Sequence, residues 1–156
     1  MKSLDDLVTT MEDEDFVYTR ENFPADDMFH LMKKKGVFPY DLFDDISKLN
    51  CPKFPLREAF FNKLEDKECS MKDYLHAKLV WDTFDCKTFQ AYHDLYLKSD
   101  VFLLTDVFEK FRRTCMDSYG LDAAHYYSAP GMDWDATLKL TGVQLDLFDN
   151  ERCITL

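Results

Sequence analysis

Apolar positions recur at helical spacing along most of the chain. Leu4, Leu7, Val8 and Met11 follow Ser3-Leu4-Asp5-Asp6, the opening of a capped short helix, and the acidic run over 12–15 ends it. A second helix is expected to begin with Pro24 at its first position. Asp26 and Asp27 then fall in its first turn and Lys33, Lys34 and Lys35 in its last, with Gly36 as the stop. Val37-Phe38-Pro39-Tyr40 runs extended, because Pro39 disfavours helix at Phe38. Residues 50–69 hold Pro52 and Pro55 and read as an irregular connection with a short helical piece near Glu58. Ser70-Met71-Lys72-Asp73 caps another helix, with Tyr74, Ala77, Trp81 and Phe84 on one stripe. A long helix over 88–119 ends at Gly120, a shorter one spans 131–140, and 143–148 alternates apolar and polar as a strand does. The pattern is mainly α.

The long helix carries the one chemically pointed arrangement. At about 100° per residue, Tyr92, Tyr96, Asp100, Leu103, Val107 and Phe111 stack along one stripe. Leu97, Val101, Leu104 and Phe108 widen that apolar arc, and Asp94, Lys98, Asp106, Glu109 and Arg112 fall toward solvent. Asp100 is thereby expected in the middle of a buried face. An ionised carboxylate there is costly unless paired, hydrogen-bonded or bound to a metal. It could pair with a core Arg or Lys, mark a helix break at Ser99, or hold a divalent cation in a cleft with Tyr96 one turn before it.

Charge and composition narrow the partners. The chain has 156 residues, 46% hydrophobic and 15% aromatic, which suits a packed fold. Its net charge of −11 is the wrong sign for free-standing phosphate binding, so any DNA contact must be local, metal-bridged or supplied by protein outside this chain. The lysine triplet could touch phosphate, but complementing the helix dipole is the commoner role. Five scattered cysteines without a CxxC motif support neither a disulfide framework nor a zinc site. No leader and no apolar run long enough for a membrane is visible, so a soluble protein of an intracellular reducing compartment is expected. His93, at the edge of the apolar arc, reads as a core histidine, and Trp81 and Trp134 as core or interface anchors.

Tyr96-Leu97-Lys98-Ser99-Asp100 resembles the third exonuclease motif, Tyr-x-x-x-Asp, of family B DNA polymerases. The wider string from Tyr92 to Val101, followed by Asp106-Val107-Phe108, is similar to the protein-primed subgroup of Maverick/Polinton-type transposons, linear plasmids and some viruses. Ser3-Leu4-Asp5-Asp6-Leu7-Val8, Lys35-Gly36-Val37-Phe38-Pro39-Tyr40, Gly120-Leu121-Asp122-Ala123-Ala124-His125-Tyr126-Tyr127 and Ala129-Pro130-Gly131-Met132-Asp133-Trp134-Asp135 resemble further stretches, in the family's order.

The resemblance implies a fragment of a DNA-directed DNA polymerase with proofreading. Residues 1–120 would be the C-terminal part of an α/β RNase H-like 3′→5′ exonuclease domain, and 121–156 the start of a link into the polymerase domain. It implies Asp100 as a ligand of Mg²⁺ or Mn²⁺, Tyr96 as the residue orienting the attacking water, and DNA and a terminal priming protein as partners. A nucleus or a viral replication site would then be the compartment.

One carboxylate cannot hold two metal ions. Asp66-Lys67-Glu68 fits the letters of the first exonuclease motif without a strand before it, and Asp149-Asn150-Glu151 lies on the wrong side of Asp100. Both read as chance matches, and the polymerase motifs are absent. The isolated chain is therefore expected to be inactive. Two rival readings remain: an acidic helical module acting through protein contacts, and a compact nuclease combining Asp100 with one of the Asp-x-Glu pairs.

Overall fold

The computed structural model describes residues 3–64 and 66–145. Its helices are α1 (Leu4–Val8), α2 (Val17–Asn22), α3 (Asp26–Met32), α4 (Met71–Thr83), α5 (Phe89–Tyr119) and α6 (Ala129–Thr141), with short 3₁₀ turns between them. Among the described residues no strand forms, and a single antiparallel bridge joins Asn62 to Lys67. No helix of the described residues is long and apolar enough to cross a membrane. The mainly α expectation therefore holds.

Local chemistry explains most boundaries. Ser3 and Asp6 close a capping box at α1, the Ser3 amide donating to the Asp6 carboxylate and the Asp6 amide to the Ser3 hydroxyl. Ser70 accepts from the Asp73 amide at the start of α4. Gly120 (φ +62°) follows α5, and Gly142 (φ +65°) caps α6 in the left-handed region that glycine enters without strain. The expected helical piece near Glu58 is a 3₁₀ turn over Arg57–Phe60.

Two expectations fail, and one helix carries no local signal. Pro24 lies outside α3, which starts at Asp26 behind Ala25. Val143–Leu145 form no strand, and 146–148 lie outside the described residues. α2 was not foreseen: Val17-Tyr18-Thr19 is a poor helix opening, and Phe16 has no capping side chain.

The chain divides into two compact units, Met1–Phe108 and Glu109–Leu156. In the first, Trp81, Val80 and Ala77 of α4 pack with Phe89 and Tyr92 of α5 and with Phe23, Met32 and Phe60. A smaller cluster joins Val8, Phe16, Phe29 and Leu103. In the second, Cys115, Ala123 and Met132 form the core. There Arg112 holds Asp122 in a two-pronged ion pair and also bonds Glu109.

Candidate functional site

α5 buries a stripe different from the one its apolar pattern suggests. Phe89, Tyr92, Tyr96, Ser99, Leu103 and Asp106 are buried, at alternating spacings of three and four. Leu97, Val101, Leu104 and Phe108, expected to widen the buried arc, are exposed. Asp106, expected in solvent, is 0% exposed. Asp100 is half-buried on the flank between these two faces, not at the centre of the buried one.

The two polar residues on the buried stripe have partners from other helices. Ser99 donates to the Met32 carbonyl at 3.2 Å, tying α5 to the end of α3. The Asp106 carboxylate accepts from the Tyr18 amide (2.8 Å), the Thr19 amide (3.0 Å) and the Thr19 hydroxyl (2.6 Å). These amides are the second and third of α2, donors with no carbonyl inside their own helix. Asp106 thus caps α2 from across the core, where Phe16 cannot. It also sets a negative charge against the positive end of that helix.

Tyr96 sits in a cradle made by residues 36–40. Gly36 approaches its ring so closely that a Cβ there would lie 3.4 Å from Cδ2. The Phe38 ring stacks on it at 5.1 Å between centroids. The Tyr40 and Tyr96 hydroxyls hydrogen-bond at 2.7 Å, and the Tyr92 hydroxyl donates to the Val37 carbonyl at 2.7 Å. The fold therefore brings Lys35–Tyr40 and Tyr92–Asp100 together, two of the stretches that carry the resemblance. Burial, then the Tyr40 hydrogen bond, then the Asp100 charge push the Tyr96 phenol far above its ordinary range. It stays neutral at physiological pH and acts there as a hydrogen-bonding group. A cleft of about 530 Å³ opens on this cradle, with Lys35, Phe61 and Lys63 among its walls.

Around Asp100 the described residues assemble no group of three or more His, Cys, Asp or Glu side chains able to hold a metal. Asp66-Lys67-Glu68 lies in an exposed turn, with Asp66 at φ +50°. Asp149-Asn150-Glu151 lies outside the described residues. Asp100 alone could ligate a cation only weakly, since divalent ions in protein sites take several oxygen ligands.

Other candidates resolve as structural. Lys33 pairs with Asp13 at 2.8 Å and Lys34 with Asp73 at 2.6 Å, so two of the three lysines are engaged by carboxylates. His93 is half-buried against the Phe43 ring, and Trp81 is in the core. Trp134 is exposed and anchors no core. Cys51, Cys69, Cys86 and Cys115 are free thiols. Tyr40 is not among the residues the sequence marks for chemistry; its signals are the aromatic run around Pro39 and its place at the end of the Lys35–Tyr40 stretch. Comparison with protein-family models, with curated proteins and with solved structures finds no match for this chain.

Proposed function

We propose that the chain serves in DNA replication as part of the 3′→5′ exonuclease of a protein-primed family B DNA polymerase. In this reading Asp100 supplies one ligand to a Mg²⁺ or Mn²⁺ pair, and Tyr96 orients the attacking water. The carrying observation is the pairing itself. Asp100 lies one helical turn after a neutral tyrosine whose hydroxyl is fixed by Tyr40. A fixed neutral phenol can orient a water without competing for the metal, and a carboxylate beside it can bind the cation that activates that water. The other carboxylates of the pair would come from polypeptide beyond these residues. The exposed ridge of Leu97, Val101, Leu104 and Phe108, adjoining Asp100 on α5, offers a surface on which such polypeptide could pack.

The same ridge also supports a second reading, a non-enzymatic helical module that binds protein partners. α4 adds another exposed apolar row in Met71, Leu75 and Leu79.

The discriminating experiment joins this chain to upstream polypeptide carrying a strand-borne Asp-x-Glu and measures degradation of single-stranded DNA from its 3′ end. The exonuclease reading expects Mg²⁺- or Mn²⁺-dependent activity that Asp100→Ala abolishes and Tyr96→Phe slows. The 156 residues alone should show none, and Asp100→Ala should leave their stability within about 0.5 kcal/mol. Activity that survives Asp100→Ala sinks the assignment. Full activity in the isolated chain would refute the sharing of the site.

A further inference from the structure

The cleft of about 530 Å³ beside Tyr96 is also walled by Phe61 and Leu64. They come from a segment that carries none of the resemblance. The volume is that of a small-molecule site.

Local backbone explains why Phe61 faces the cleft. Phe60 closes a 3₁₀ turn and is buried, its ring packed on Phe54 (5.6 Å between centroids) and Tyr74 (5.8 Å). Phe61 follows in an extended conformation, φ −61° and ψ 130°, in which successive side chains point to opposite sides. Its ring is thereby turned away from the core that Phe60 enters. Among the described residues Phe61 belongs to no core cluster and pairs with no other ring. The residue after it is fixed as well, because Asn62 and Lys67 exchange both backbone hydrogen bonds, at 2.9 and 3.1 Å. Phe61 is held between two anchored neighbours without the packing that usually accounts for a half-buried phenylalanine.

Tyr40 lines the same cleft. Its hydroxyl is tied to Tyr96 and its ring meets Phe38 edge-on, yet the residue is 66% exposed. Two aromatic side chains, each fixed on one side and uncovered on another, thus share one cleft. A flat occupant covers both with little loss of side-chain freedom. Charge does not select that occupant, since Lys63 pairs with Asp41 at 3.1 Å within the same walls. The ring faces must supply the affinity.

Next to a site that cuts a DNA strand, the flat bodies are the bases. Stacking on an aromatic ring tolerates any base, because each has a π-face. A base inside a duplex has its faces covered by its neighbours, whereas an unpaired terminal base offers one. We infer, resting on the exonuclease reading of this site, that Phe61 is a specificity-determining residue. With Tyr40 it stacks the unpaired 3′-terminal base of a DNA strand and passes over paired ends.

NMR titration of the metal-free 156-residue chain tests the slot with a thymidine tetranucleotide, the same strand ending in an abasic 3′ residue, and a blunt-ended DNA hairpin. The tetranucleotide should bind about tenfold tighter than the abasic strand, as one stacked base contributes, and tighter than the hairpin. Phe61→Leu, which keeps apolar bulk without a ring face, should remove that tenfold, and Phe61→Trp should keep it. Both sit outside the core clusters, so their thermal midpoints should match that of the unsubstituted chain. Equal binding of the tetranucleotide and the abasic strand overturns the slot. So does a hairpin bound as tightly, an affinity that Phe61→Leu leaves unchanged, or no binding at all. The exonuclease reading fails separately, by activity of the joined protein that survives Asp100→Ala. Asp100-dependent digestion whose preference for unpaired over paired 3′ ends ignores Phe61→Leu sinks the slot alone.

Discussion

Replacing Asp106 by alanine removes three hydrogen bonds at one stroke. The carboxylate accepts from the amides of Tyr18 and Thr19 and from the Thr19 hydroxyl, and both Asp106 and Thr19 are 0% exposed. Hydrogen bonds to a charged acceptor contribute about 1.5–3 kcal/mol each, and a buried donor left without a partner costs about 1–3 kcal/mol. Losing an N-cap costs about 1 kcal/mol by itself. These terms overlap, because α2 can fray and let water reach its amides, so they do not add in full. A loss of about 3–5 kcal/mol is expected for Asp106→Ala, a large share of the roughly 5–15 kcal/mol that a domain possesses. Urea unfolding followed by far-ultraviolet circular dichroism measures it. Asp106→Asn keeps one acceptor oxygen but turns an amide donor toward donors, and should lose about half as much. Thr19→Val should cost about 1 kcal/mol, and the double variant with Asp106→Ala should cost less than the sum by a similar amount. A surface aspartate would change stability by only about 0.5 kcal/mol. A loss under about 1 kcal/mol for Asp106→Ala would therefore refute the remote cap.

Three further outcomes are expected. Tyr40→Phe should lower the Tyr96 phenol pKa, read by ultraviolet titration, yet leave it above the ordinary range because burial is the larger cause; an unchanged titration would show that the hydroxyl pair does not form. His76 donates through Nε2 to the Leu31 carbonyl at 3.1 Å, and burial, with Lys34 nearby, pushes its pKa below the ordinary value of 6.5 while that hydrogen bond and then Asp73 partly offset this. The unfolded chain then binds the proton more readily, so stability is fully present above about pH 6.5 and falls as pH drops toward the folded pKa. His76→Gln should flatten that slope, whereas Asp73, held low chiefly by Lys34, acts in a separate window below pH 3.8. Gly120→Ala should cost about 1–2 kcal/mol from the left-handed backbone, and Gly142→Ala about the same. The Cβ at Gly120 meets only the movable end of Lys139, so a much larger loss at Gly120 would place the cost in packing instead.

The helices with local signals were legible in the sequence. Ser3 and Ser70 announce α1 and α4, and Gly120 ends α5, because capping and left-handed turns depend on residues within a few positions of each other. The Tyr96–Asp100 spacing was legible for the same reason, since four residues make one helical turn. The environment of that pair was not.

α5 is apolar over too wide an arc for periodicity to say which part is covered. The choice was made by partners distant in sequence: the Met32 carbonyl for Ser99 and the Tyr18 and Thr19 donors for Asp106. A buried polar group with a partner is tolerated, and an exposed leucine costs little, so the helix turned two polar residues inward and left Leu97, Val101, Leu104 and Phe108 outside. α2 was hidden by the same logic, because its cap lies more than eighty residues away along the chain. Local spacing therefore determined where this protein turns helical and that Tyr96 precedes Asp100 by one turn. Only the tertiary structure decided that Asp106, rather than Asp100, is the fully buried carboxylate of α5.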